Sequence, residues 1–162
     1  MERDNTKQAG IAWMPQMQPI VWNDTLTTGI QMIDDQHKIL VNIINDIYQG
    51  LTGKYNRISL QRIILELRGY IDYHFGAEER LMSEHDFSFM HPDEHEKHLQ
   101  QHQDFIDRLA EMEQYLDNNR PVFYEDLFIF LRDWLANHIL HTDKKLADFL
   151  KCDPPPAQQI AG

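Results

Sequence analysis

Cysteine is nearly absent: Cys152 is the single one in 162 residues. No internal disulfide can form, which fits a reduced, cytoplasmic setting. Basic charge is scarce as well. Lys and Arg number 15 against 26 Asp and Glu, giving a formal net charge of −11. Nucleic acid and anionic membrane surfaces both need a basic patch, so neither is expected as a partner. Long apolar runs are missing too, and none approaches the ~20 residues of a membrane-spanning helix. The opening MERDNTKQAG has no apolar leader core. Membrane insertion is not expected, and the expected location is the cytoplasm. Glycine and proline, seven of each, are too few for a fibrous chain. What is left has the size of one domain and enough apolar residues, 42%, to bury a core.

Four segments repeat apolar residues at helical spacing. The first runs through Ile33, His37, Leu40, Val41, Ile44, Ile47 and Leu51, with Gly53 as its stop. The second runs from Leu60 through Leu67, Ile71, His74, Phe75 and Glu78 to Met82. The third opens at Pro92 and Asp93 and carries His95, His98, Leu99, His102, Phe105, Ile106, Leu109 and Leu116. The fourth follows Pro121 with Leu127, Leu131, Trp134, Leu135, His138, Leu146 and Leu150. No segment alternates at period two, so no sheet is expected. Each helix would run roughly 30 Å. Short links fall around Thr52–Asn56, His85–Pro92 and Asp117–Pro121. The expected fold class is all-α, an up-down-up-down four-helix bundle with an irregular N-terminal arm. The divisions are 1–21 for the arm, 22–152 for the bundle and 153–162 for a flexible C-terminal tail. Trp13, Met14 and Met17 would lie across the core as a lid.

Histidine is the residue in excess: there are nine. Polar residues interrupt all four apolar stripes at His37, His74, Glu78, His98, His102 and His138. Burying an unpaired polar group costs a few kcal/mol, and an ionised carboxylate more. Six of them directed at one bundle axis would threaten the marginal stability of a domain. A metal ion resolves this, because it takes neutral imidazole nitrogen and carboxylate oxygen directly. His74 and Glu78 are four apart, as are His98 and His102, so each pair shares one helix face. Five imidazoles and a carboxylate exceed what one tetrahedral zinc needs and suit two metals with carboxylate bridges. Imidazole with carboxylate, and no thiolate, suits iron. On spacing alone His141, three after His138, fits that face better than Asp143. Asp143 would need a π-bulge to join it. His95 and His85 are placed to displace a named ligand.

Several quoted segments together resemble the hemerythrin family, bacteriohemerythrin-like in being a single domain. They are Trp22-Asn23-Asp24, Ile33-Asp34-Asp35-Gln36-His37, His74-Phe75-Gly76-Ala77-Glu78-Glu79-Arg80-Leu81-Met82, His98 with His102 and Phe105, and Trp134-Leu135-Ala136-Asn137-His138-Ile139 with Asp143. The resemblance spans about Trp22 to Leu150. It implies a non-haem di-iron centre that binds O2 reversibly. Carried over, it implies that His98, His102 and His138 ligate one iron and that His37 and His74 ligate the other. Glu78 and Asp143 would bridge the two, with an oxo or hydroxo group. O2 would bind at the vacant position of the iron with two imidazoles. The loop between Met82 and His98, with His85 and His91, is longer than is usual in the family.

The expected function is therefore O2 carriage, storage or delivery, with sensing as a further use, rather than catalysis. An O2-using enzyme is a possible recipient. The alternatives are a di-iron oxidase or peroxidase, an NO-processing enzyme, or an iron-handling protein. Ferritin-like oxidases use Glu-x-x-His pairs, and this sequence contains none. His85, His91 and His141 are expected to face solvent or to stand behind ligands. Asp34, Asp35, Glu79, Asp93, Glu94 and Glu96 are expected to be solvated charges, with a place behind a ligand as the second reading of Glu79. Trp134 and Leu135 line either an O2 pocket or ordinary core.

Overall fold

The computed structural model describes residues 17–51 and 57–152. Helix α1 is Gln31–Gln49, α2 is Arg57–Glu84, α3 is the single turn Phe87–Met90 and α4 is Pro92–Asp117. The last rod is continuous but of mixed pitch. It comprises α5 at Tyr124–Trp134, a π-helical segment at Leu135–Asp143 and α6 at Lys144–Cys152. A 3-10 turn, Asp24–Leu26, precedes α1, and Asn23 caps it by accepting from the Thr25 N–H at 2.9 Å. No strand occurs among the described residues. No helix among them is long and apolar enough to cross a membrane. Helix α1 packs on α2 and α5, α2 packs on α4, and α4 packs on the π segment. The protein is thus an all-α four-helix bundle, as the four apolar stripes require.

The expected boundaries need one adjustment. The link His85–Pro92 is not a bare loop, because Phe87 is 2% exposed and folds its neighbours into α3. Asp86 makes the turn into it at φ +53°. Pro92 then opens α4, as its missing N–H and fixed φ favour. The stop at Gly53, the link Thr52–Asn56, Trp13 and Met14 of the lid, and the tail 153–162 lie outside the described residues. The described end of the arm is irregular. Met17 is buried, and Ile20 is tied to Asn45 of α1 by two bonds, its N–H to Oδ1 at 2.7 Å and Nδ2 to its carbonyl at 2.9 Å.

Asp34 corrects a reading from sequence. It is not a solvated charge but a buried one. Its carboxylate accepts from the Thr28 N–H and Oγ1, both at 2.7 Å, and from the Gly29 N–H at 3.2 Å. Gly29 takes φ +88°, which only glycine adopts cheaply, so the chain can fold back over this carboxylate. Lys151 at the far end of the chain bonds the Thr28 carbonyl at 3.0 Å and closes the same corner. Asp34→Ala strands two buried donors and is expected to lower stability by about 2 kcal/mol in chemical denaturation.

The buried apolar side chains form two groups rather than one. The larger includes Leu40, Ile44, Leu67, Phe75, Phe105, Leu131 and Leu135. The smaller is Ile33, Met82, Phe87, Leu146 and Leu150. On three of the four helices the break between the groups falls at the same level. Ile33 and Leu40 flank His37, Phe75 and Met82 flank Glu78, and Leu135 and Leu146 flank His138 and Asp143. A polar layer crosses the bundle there.

Candidate metal centre

All seven residues singled out in the sequence lie in that layer, and each is at most 2% exposed. His37 comes from α1, His74 and Glu78 from α2, His98 and His102 from α4, and His138 and Asp143 from the π segment. A helix turns by about 100° per residue, so an i,i+4 pair shares a face. Five residues, the His138–Asp143 spacing, overshoot an α turn but match the i→i+5 repeat of a π turn. The segment Leu135–Asp143 is π-helical and brings both side chains to the centre. The same winding turns His141 away from the layer. It is exposed, and its Nδ1–H donates to the Ala136 carbonyl at 2.9 Å.

The donor atoms fall into two overlapping sets, each with all its atoms within 4.8 Å of one another. One set is Glu78, His98, His102 and His138; the other is His37, His74, Glu78 and Asp143. Glu78 belongs to both. Its Oε2 lies 3.1 Å from His98 Nε2, 3.2 Å from His102 Nε2 and 3.6 Å from His74 Nε2. Asp143 spans both in another way. Its Oδ1 faces His138 Nε2 at 2.8 Å and His98 Nε2 at 3.4 Å, while its Oδ2 faces His37 Nε2 at 3.0 Å and His74 Nε2 at 3.6 Å. Three imidazoles therefore gather on one side and two on the other, with both carboxylates between them. His85, His91 and His95 belong to neither set.

Three of the rings are held from behind. His74 Nδ1 meets Gln36 Oε1 at 2.8 Å, His138 Nδ1 meets Gln101 Oε1 at 2.7 Å, and His102 Nδ1 meets Glu79 Oε1 at 3.2 Å. An amide oxygen or a carboxylate only accepts, so each ring donates from Nδ1 and turns the lone pair of Nε2 inward. Sequence reasoning did not assign Gln36 or Gln101, although Gln36 stood beside His37 in the quoted stretch. It read Glu79 first as a solvated charge. In the structure the Glu79 side chain is 49% exposed and also reaches His102, so its second reading holds. Aromatic rings complete the positioning. Phe75 stacks on His102 at 3.7 Å between centroids, Tyr70 on His74 at 5.2 Å and Trp134 on His138 at 4.1 Å.

The protonation states suit a cation. Burial pushes His98, His102 and His138 down, His102 to about 2, so they stay neutral. Burial alone would raise Asp143, but His138, His37 and His74 outweigh it and hold this carboxyl well below its usual range. Burial, and then the Asp143 charge, push Glu78 well above its usual range. Burial chiefly, with Asp143 and Glu78, raises the Tyr70 hydroxyl. Glu78 Oε1 and His74 Nε2 are fully buried and make no hydrogen bond. Inward lone pairs facing carboxylates repel one another unless a cation sits among them. The residues present therefore fit a pair of metal ions, and nitrogen with oxygen donors and no sulfur fits iron.

The comparisons with known proteins agree with the geometry. A model of the family described as "Hemerythrin HHE cation binding domain" matches residues 28–150. A bacteriohemerythrin of Pseudomonas aeruginosa is 34% identical over 135 residues, covering 83% of this chain and 84% of that one. A bacteriohemerythrin of Clostridium acetobutylicum is 29% identical, covering 79% of this chain and 98% of its own. A myohemerythrin of Theromyzon tessulatum is 23% identical, covering 79% and 91%. No solved structure matches.

Proposed function

The chain belongs to the hemerythrin family, and on that footing we propose that it binds O2 reversibly at a non-haem di-iron centre and does not turn it over. Residues 22–152 would be the working unit, with 1–21 as an arm and 153–162 as a tail. His98, His102 and His138 would hold one iron, His37 and His74 the other, and Glu78 and Asp143 would bridge them. The observation that carries this reading is the inequality of the two donor sets. With both carboxylates shared, three imidazoles complete one ion where two leave the other a donor short.

When bound, a ferrous pair supplies reversible O2 binding by lending its electrons. The chain's own residues keep that loan from becoming a reaction. Leu40 and Leu135, each one turn from a ligand, and Ile139 next to His138 are buried and exclude water beside the layer. Gln36, Gln101 and Glu79 hold their rings in the metal-binding tautomer. Tyr70 sits against His74 with its hydroxyl buried and its pKa raised, so it keeps its proton rather than delivering it.

The test is the optical spectrum of the reduced, iron-loaded protein. Bands that appear under O2 and bleach under vacuum, over many cycles, are expected. Bands that disappear only with an added reductant would make the protein an oxidase, peroxidase or NO-processing enzyme. A protein that loads iron yet gives no O2-dependent bands would be an iron-handling one.

A further inference from the structure

Two of the seven side chains border space that opens from the layer. His98 lines a void of about 30 Å3, room for about one water, beneath the 2.9 Å ion pair of Glu94 and Lys145. His138, no more exposed than His98, borders a much larger space. With Trp134 it lines a groove of about 320 Å3 between α4 and the last rod, and Gln101 and Asn137 form part of its walls. Asp104 and Asp133, both exposed, stand at its rim, and no lysine or arginine lines it. The Asp104 carboxylate is steadied by the Gln100 amide at 2.8 Å, while Asp133 pairs with Arg132 at 2.8 Å.

Trp134 joins this groove to the centre. Its indole lies over the His138 ring, 4.1 Å between centroids and 21° between planes. Its N–H is buried without a hydrogen-bond partner, a cost that an aliphatic side chain would not incur. The wall of the groove is thus a conjugated ring stacked on an imidazole that faces Glu78 and Asp143. A site that lends electrons to O2 also loses them on occasion, and ferric iron is inert as a carrier until it is reduced. Electrons then have to cross a layer no more than 2% exposed.

We propose that this groove is the entry point for those electrons. The proposal rests on the iron reading above. A one-electron carrier protein with a positively charged rim docks on Asp104 and Asp133. Its electron passes through the Trp134–His138 stack. Each encounter oxidises the donor by one unit and reduces one ferric ion to ferrous, and two encounters restore the pair. No covalent bond of the protein forms or breaks, and Trp134 and His138 end as they began. A cationic occupant is favoured because Asp104, held by a neutral amide, and Asp133, paired with Arg132, leave the rim net negative, and no lysine or arginine lines the groove.

Two measurements test it. In the metal-free protein, hexaamminechromium(III) is expected to broaden the side-chain amide NMR signals of Gln101 and Asn137, and the effect should vanish in the double variant Asp104→Lys, Asp133→Lys. In the ferric iron-loaded protein, hexaammineruthenium(II) is expected to reduce the centre about tenfold more slowly in that double variant at low salt, the gap closing as salt rises. Dithionite, whose active species is an anion, should not lose rate. Trp134→Leu should slow reduction by the ruthenium complex, the rate being taken per iron bound. Chromium broadening elsewhere, or a ruthenium rate indifferent to charge reversal, overturns the proposal. Because Asp104 and Asp133 are exposed, the double variant decides the matter even if Trp134→Leu does not fold. Failure to load iron at all overturns the proposed function instead, and the chromium measurement still judges the groove.

Discussion

Glu78→Gln is expected to strip the protein of both metals. This carboxylate belongs to both donor sets, its Oε2 facing nitrogens of each, and the amide keeps its shape while removing its charge. Iron content should fall from two per chain, one for each set, to nearly none. The fold should not suffer. Burial raises the Glu78 carboxyl well above its usual range, so in the metal-free protein the carboxylate is a burden rather than a support. Metal-free Glu78→Gln should therefore melt at or above the temperature of the metal-free parent. His74→Ala makes the contrasting case. It removes one nitrogen from the two-imidazole set and leaves the other set whole, so about one iron per chain should remain while the O2-dependent bands vanish. Iron analysis beside the two spectra reads both results. A Glu78→Gln protein with two irons would refute the bridging role, and a His74→Ala protein that oxygenates normally would refute the division of ligands.

Acid should unfold the metal-free protein far more readily than the loaded one. His98, His102 and His138 are pushed below the ordinary histidine value of 6.5, chiefly by burial. A group whose folded pKa is depressed contributes stability above its unfolded pKa and loses it as pH falls. Below pH 6.5 the unfolded chain takes up protons at these three positions while the folded chain does not. His102, displaced to about 2, by itself removes about 1 kcal/mol for each pH unit over most of that interval. Glu78 works in the opposite sense. Its raised pKa lets the folded chain hold a proton that the unfolded chain has lost, so it adds stability as pH falls toward 4.5. One such group offsets part of what three histidines remove. The expected result is a denaturant midpoint that drops steadily between pH 6.5 and 4.5 without metal and much less with iron bound, since bound metal occupies the nitrogens that protons would take. A metal-free midpoint that stays flat over this interval would show that the rings are not buried neutral.

The parts of this site that could be read from sequence are those fixed within one helix. His74 with Glu78, and His98 with His102, announce themselves because an α turn puts them on one face of an otherwise apolar stripe. Asp143 was legible only through the family resemblance, because regular helical geometry favours His141. The π segment reverses that preference, and nothing in LANHILHTD advertises it apart from the spacing itself. Asp34, Gln36 and Gln101 stayed hidden, and Glu79 was read first as a solvated charge, for another reason. Each meets its partner on a different segment, Thr28, His74, His102 and His138 in turn, and a polar residue at the edge of a stripe looks the same whether it meets water or a ring. Helix α3 escaped notice because four residues are too short for a period to show. Phe87, one buried ring in a polar stretch, was its only sign.

The break in the apolar interior also sets how the molecule breathes. Among the described residues, the first turn of α1, α3 and the end of the last rod rest, beyond the polar layer, on five apolar buried side chains, against two dozen on the near side. Cooperative opening of so small a cap takes much less free energy than global unfolding, so backbone amides around Ile33, Phe87 and Leu146 should exchange hydrogen first. Such a hatch would admit and release ions from one end of the barrel of helices while the larger half stays shut, and filling the layer would be what bolts it.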